Sequence, residues 1–242
     1  MKSFIFCTSS VDNQSVQHNI SRYQRWISFY RLQKDELGAD RVFLIDDAGT
    51  GYQDDVTFFD EQLPEVLTSD LNVYRFKEKR GRGSLIGFPG WWRSFLFSVY
   101  IARQYGYEKI IHIESDFFIL SDSLKKFIAA TNSGWTSLYS EFYKLPETAV
   151  QIICKDQFDN FEKLRNRIMQ KNYMVEDYAE SIIPFTKVEK GFLGDRFGEA
   201  QVLASWVDTQ PGLLSRLDYF GQIVFPSDLK ISAAKPAVKT VV

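Results

Sequence analysis

Glu114 and Asp116 close a short apolar run, Ile110-Ile111-His112-Ile113, within the segment KIIHIESDFFIL. Two carboxylates at the carboxyl end of a buried strand lie where open α/β sheets bind their ligands. They are costly to hold there unless a cation or hydrogen-bond donors satisfy them. A hard divalent cation bridging to phosphate oxygens is a natural partner, so the triplet Glu114-Ser115-Asp116 suggests metal-assisted handling of a nucleotide diphosphate. Alternate residues of an extended strand are about 7 Å apart, so the chain must turn at the strand end for both acids to serve one ion. His112 lies on the same alternating face. It would sit about 13 Å from Asp116 along a strand, which makes it a core histidine rather than a third ligand. The plainer alternative for the acids is capping of a following helix, although Ser121 or Asp122 could also start that helix.

The elements that must position these residues alternate. Lys2–Thr8 reads as a first strand ending in small polar residues. Ile20–Leu37 has the apolar spacing of an amphipathic helix, with Trp26, Ile27, Tyr30 and Leu37 on one side and Gly38 as its stop. Arg41–Ile45 is a second strand, ending in Asp46-Asp47-Ala48-Gly49, and Leu71–Phe76 a third. A loop rich in Gly and Arg spans Lys77–Gly90, a helix runs from about Trp91 to Gln104 before Gly106, and Lys109–Ile113 is the fourth strand. Strands alternating with helices, without hairpin signals, predict a mainly parallel central sheet with helices on both faces, a Rossmann-like α/β fold. Right-handed crossovers then bring the polar strand ends to one edge. Further on, Thr136–Ser140 and Ala149–Cys154 read as strands, and Asn160–Gln170 and Gly198–Trp206 as helices.

In this order the residues resemble the GT-A nucleotide-sugar glycosyltransferases: Cys7-Thr8-Ser9 at the first strand end, Asp46-Asp47-Ala48-Gly49 at the second, a basic Gly-containing loop, an Arg-bearing helix, then an Asp-x-Asp-like triplet. The match covers roughly the first half of the chain. The resemblance implies a GT-A-like fold and transfer of a sugar from a nucleotide diphosphate sugar donor to a glycan or glycoconjugate acceptor, assisted by a divalent cation (Mn2+ or Mg2+). It gives the metal to Asp116, with Glu114 reaching the metal or the ribose; Glu in place of Asp departs from the pattern. No histidine lies near the carboxyl end to complete the set, which leaves phosphates, water or Asp228. Thr8, Ser9, Asp46, Asp47 and Arg93 are implied as nucleotide contacts. Asp46 and Asp47 also have good turn chemistry. Arg80 and Arg82 suit a diphosphate, although a solvated loop is the commoner role for each taken separately. Trp91 and Trp92 would floor a sugar site or pack the helix start. For an inverting enzyme the catalytic base is expected at Asp195, then Glu199, with Glu141 as a rival. A nucleotidyltransferase that makes such a donor and a non-catalytic nucleotide- or sugar-binding module are the alternatives. The loop after the first strand, Thr8–Asn13, lacks the glycines that the former normally carries.

Length and composition set the bounds. The 242 residues suffice for one substantial core. We expect a single domain over 1–231, with a nucleotide-binding half to about 120 and an acceptor half beyond it, and a loosely ordered tail over 232–242. A net charge of −2 gives no drive towards nucleic acid, the patch Lys77–Arg82 being local. Aromatics reach 16%, a surplus for core packing and for lining a groove. Cys7 and Cys154 have no metal-type spacing and read as buried thiols in a reducing compartment. No apolar run is long enough to span a bilayer and no signal-peptide pattern is present, so cytoplasmic residence is expected, with peripheral membrane contact left open.

Overall fold

The computed structural model describes residues 1–10, 16–49, 57–84, 86–141, 143–195 and 217–221. In chain order the described elements begin with β1 (Ser3–Ser9), α1 (Val16–Gln33), β2 (Arg41–Asp46), β3 (Thr57–Asp60) and β4 (Leu71–Arg75). Then come α2 (Pro89–Tyr105), β5 (Lys109–Ile113), β6 (Phe118–Ile119), α3 (Asp122–Ala130), β7 (Trp135–Ser140) and β8 (Leu145–Cys154). The last are α4 (Phe158–Gln170), α5 (Ala179–Ile182), β9 (Lys187–Glu189), β10 (Gly194–Asp195) and β11 (Tyr219–Phe220).

Eight strands form one sheet in the order β3-β4-β2-β1-β5-β8-β7-β9, and β10-β11-β6 form a small second sheet. The large sheet is parallel from β3 through β5. Its strands are apolar almost throughout, as burial on both faces demands. Alternation divides their side chains between two cores. Ile5, Cys7, Val42, Leu44, Ile111 and Ile113 face Trp26 and Tyr30 of α1 and Leu124 and Ile128 of α3. Phe4, Phe6, Phe43, Ile45 and Ile110 face Trp92 and Phe95 of α2 and Phe158 and Phe161 of α4. Helices therefore cover both faces, as expected. Most of the aromatic surplus fills the second core, where Phe4 meets Phe43 edge-on at 5.2 Å and Trp135 lies 4.8 Å from Phe161.

The expectation of a sheet without hairpins needs correction. β7 and β8 are an antiparallel hairpin, and β8 runs antiparallel to β5. Its turn, 141–144, contains no glycine; Lys144 takes the left-handed backbone at φ 58°, so the usual hairpin residues are missing from the sequence. The short strands β3, β6, β9, β10 and β11 also went unread, being too brief for period-2 alternation to register.

Two helix ends show their causes. Pro89 opens α2, where its missing N–H costs nothing, and Gly106 closes it at φ 65° with its N–H directed to the carbonyls of Ala102 and Arg103. Ser121 caps α3, its hydroxyl accepting the Leu124 N–H at 3.1 Å. The Lys109 ammonium, at the start of β5, donates to the carbonyls of Ile128 (3.1 Å) and Ala129 (2.9 Å) at the other end of that helix. Both cysteines are free and buried. Among the described residues no helix is long and apolar enough to cross a membrane.

Candidate functional site

From β1 the chain passes through α1 to β2 on one side of the sheet; from β4 it returns through α2 to β5 on the other side of β1. The carboxyl ends of β1 and β5 thus flank the point where strand order reverses, the place where open α/β sheets leave a crevice. A cavity of about 320 Å³ lies there, at the lower end of the roughly 300–1,000 Å³ of small-molecule sites. β1 contributes Thr8 and Ser9, followed by Ser10; β5 leads into Glu114 and Ser115. α1 contributes Arg22 and Tyr23, and the loop before α2 contributes Lys79, Gly81, Arg82 and Phe88. Trp91 of α2 and Asp47 complete the wall.

The two acids of the triplet are taken up by different layers. Glu114 turns to the α2 side, where its Oε1 accepts the Trp91 indole N–H and lies 3.5 Å from Nε2 of His112. Asp116 turns to the α1 side and pairs with Arg22 at 2.8 Å. A turn separates them, closed by the Phe117 N–H donating to the Glu114 carbonyl at 3.0 Å. Burial, then the nearby Asp116 carboxylate, push Glu114 up to about 7. Burial opposes the charge on Arg22, but the Asp116 carboxylate together with Tyr23, Glu114 and Cys7 more than offsets it, so its pKa is raised. His112 is fully buried among Phe6, Phe95 and Trp91, and burial pushes it down to about 3, so it is a neutral core histidine.

Asp116 is engaged by a guanidinium and Glu114 by an indole N–H. Among the described residues no three His, Cys, Asp or Glu side chains gather as a ligand set. The residues present do not fit a preassembled divalent-cation site, and Asp228 lies outside the described residues.

Asp47 and Arg93 form a buried clamp. The Asp47 carboxylate accepts the backbone N–H groups of Arg80 (3.0 Å) and Gly81 (2.7 Å) and an Arg93 guanidinium N–H. Arg93 also donates to the Glu78 carbonyl at 2.5 Å and stacks over Phe76, 3.9 Å from the ring centre. Its Nη2 therefore holds the loop 77–88 against the end of β2, and Arg93 is not among the residues lining the cavity. Gly90 is required here, since a Cβ would overlap the Asp47 carboxylate. Asp46 is fully buried, accepting the Ser9 hydroxyl at 2.6 Å and the Gly49 N–H, so it fixes the turn after β2. Of the residues expected at the nucleotide, Thr8, Ser9, Asp47 and Glu114 line the cavity. Arg80 reaches Asn172 instead, its Nη1 2.6 Å from Oδ1.

The tryptophan pair divides: Trp92 is buried in the core, while Trp91 stacks on Phe95 at 4.9 Å and lines the cavity. Asp195 sits in β10 opposite Phe220 of β11. The backbone approach that Gly194 permits is taken by the Tyr219 ring rather than by a ligand. Glu199 and the helix expected over Gly198–Trp206 lie outside the described residues. Glu141 stands in the exposed hairpin turn, paired with Lys144 at 2.9 Å.

Sequence reasoning passed over Arg22 and Glu147. Arg22 precedes Trp26 and Tyr30 at helical spacing, and a cation on the buried stripe of an amphipathic helix was the available signal. Glu147 is fully buried on β8, its Oε1 accepting the Ala149 N–H at 3.0 Å, while the Ala149 carbonyl accepts the Glu114 N–H at 2.9 Å.

No protein-family model matches this chain, and no curated protein matches it in sequence. Among solved structures it is similar to a glycosyltransferase involved in the glycosylation of the major capsid of PBCV-1, with 9% identity over 90% of this chain and 94% of that one and a TM-score of 0.41. It is also similar to a protein of Aquifex aeolicus VF5, with 8% identity over 78% of this chain and 84% of that one and a TM-score of 0.44. At this level the likenesses carry no functional argument.

Proposed function

We propose that this chain is a glycosyltransferase that moves a sugar from a nucleotide diphosphate sugar to the hydroxyl of a glycan or glycoconjugate. The observation that carries the reading is the cavity at the strand-order reversal, where Arg22, Lys79 and Arg82 meet the polar end of β1 and Trp91. Cations suit a diphosphate, and guanidinium groups offer it paired donors. A flat indole suits the apolar face of a sugar or a base.

In the reaction the acceptor oxygen forms a bond to the anomeric carbon. The bond from that carbon to the diphosphate oxygen breaks, and its electron pair leaves with the nucleoside diphosphate. The cations stabilise the leaving charge. Thr8 supplies a hydroxyl beside it, while the Ser9 hydroxyl proton is held by Asp46. Where configuration inverts, a carboxylate takes the acceptor proton. Asp195 is the first candidate and Glu199 the second.

Calorimetric titration with uridine and guanosine diphosphates, followed by assay of nucleoside diphosphate release from the matching nucleotide sugars, tests the reading. We expect saturable binding of at least one of the two. Absence of binding by both would refute the donor assignment. Replacing Asp195 or Glu199 by its amide should spare that binding and lower turnover by about 100-fold or more for the residue that acts as base.

A further inference from the structure

We infer that this site neutralises the diphosphate with its own side chains, chiefly Arg22 together with Lys79 and Arg82, in place of a divalent cation. The inference rests on the donor reading above and specifies its chemistry. Arg22 occupies the position that a cation would need: it holds the Asp116 carboxylate at 2.8 Å and lines the cavity. Its Nε is shielded from water and has no hydrogen-bond partner. A buried N–H without an acceptor is costly, and a shift of the partly exposed side chain towards the cavity would bring it to a phosphate oxygen. Asp116 thereby becomes a positioning residue, fixing the plane of a guanidinium whose remaining donors face an incoming anion. A metal ion would have to displace Arg22 from Asp116 and draw Glu114 away from Trp91. It would then lie next to the displaced guanidinium, a like-charge contact that the observed pairing avoids.

The loop supplies the other two charges from a fixed base. Its backbone is clamped by Asp47 at Arg80 and Gly81, so Lys79 and Arg82 are carried on a tethered segment. Arg82 is further set by its Nε donating to the Ser84 carbonyl at 2.8 Å and by stacking over Phe88.

The test titrates inorganic pyrophosphate, uridine diphosphate and guanosine diphosphate into the whole chain, once in excess EDTA and once in Mn2+. Pyrophosphate and one nucleotide should bind in EDTA within about threefold of their affinity in Mn2+. Arg22→Ala should weaken binding about 10-fold or more, the loss of one charge-assisted hydrogen bond, and Arg22→Lys should fall between it and the parent. Thermal melts establish that each variant is folded. If Arg22→Ala is not, the exposed pair Lys79→Ala and Arg82→Ala carries the same expectation. Asp116→Asn should still bind in EDTA, weakened less than Arg22→Ala, because the guanidinium loses its ionic anchor but keeps its charge. Binding that requires Mn2+ and vanishes in Asp116→Asn would overturn the inference while leaving the donor reading intact. Binding of pyrophosphate in EDTA, dependent on Arg22, with neither nucleotide bound would sustain the cationic cradle and remove the nucleotide. Binding of none of the three would remove both.

Discussion

Replacing Glu114 by Gln should make the protein more stable, and increasingly so as pH rises from 5 to 8. The side chain sits between the Trp91 indole, the neutral His112 ring and the cavity, and its pKa is lifted from the ordinary 4.5 to about 7. Below pH 4.5 the group is protonated whether the chain is folded or unfolded. Between 4.5 and 7 the folded state holds a proton that the unfolded state has released, so raising the pH favours unfolding; above 7 the penalty is constant. A rise of that size corresponds to about 3 kcal/mol, an upper figure because 20% of the side chain remains exposed. Gln keeps the volume and an acceptor for the indole N–H but cannot ionise. Urea unfolding of parent and variant at pH 5, 6, 7 and 8 isolates the effect, since other carboxylates cancel in the difference. The stability difference should move by about 2–3 kcal/mol in favour of the variant over this range. A difference that stays flat, or that moves in favour of the parent, would refute the assignment of a buried, proton-holding Glu114.

Further perturbations probe the same framework. Trp91→Phe removes the donor that favours the charged form of Glu114, and should shift the pH dependence of stability upward by about one unit, read from the same urea series. Asp47→Ala strands the buried Arg93 and should cost about 3–5 kcal/mol in denaturant unfolding; Arg93→Ala should cost a similar amount, and the double variant clearly less than the sum. Gly90→Ala forces a methyl group against the Asp47 carboxylate and should destabilise by about 1–3 kcal/mol in thermal melts, whereas Gly106→Ala meets no neighbour within 4 Å and pays only for its left-handed backbone.

What could be read from the sequence was whatever repeats over several residues. The strands Arg41–Ile45 and Lys109–Ile113 are continuous apolar runs, and α2 is punctuated by Pro89 and Gly106, so their positions follow from local chemistry. The hairpin of β7 and β8 was hidden because its turn uses Lys144 where a glycine would have announced it. The meeting of Thr8, Ser9, Asp47 and Glu114 at one cavity followed from strand polarity alone. The partners of the charged groups did not. Arg22 and Asp116 are 94 positions apart in sequence, and Arg93 and Asp47 are 46 apart. Nothing in either neighbourhood specifies which carboxylate a guanidinium will take. Arg93 looks like a phosphate ligand until the fold shows Asp47 beneath it.

The clamp at Asp47 has a consequence for how this cavity can change over generations. Asp47 grips the loop by the amides of residues 80 and 81, and Arg93 grips it by the carbonyl of residue 78. Every one of these handles belongs to the main chain. Apart from Gly81, whose φ of 58° favours glycine, the path of the loop is thus insulated from its spelling. Substitutions at Lys79 and Arg82 would alter the charge presented to the cavity while the scaffold beneath kept its shape. Selection could retune ligand preference at these positions in single steps, with the cost of reshaping the fold falling on Asp47, Gly81, Arg93 and Gly90.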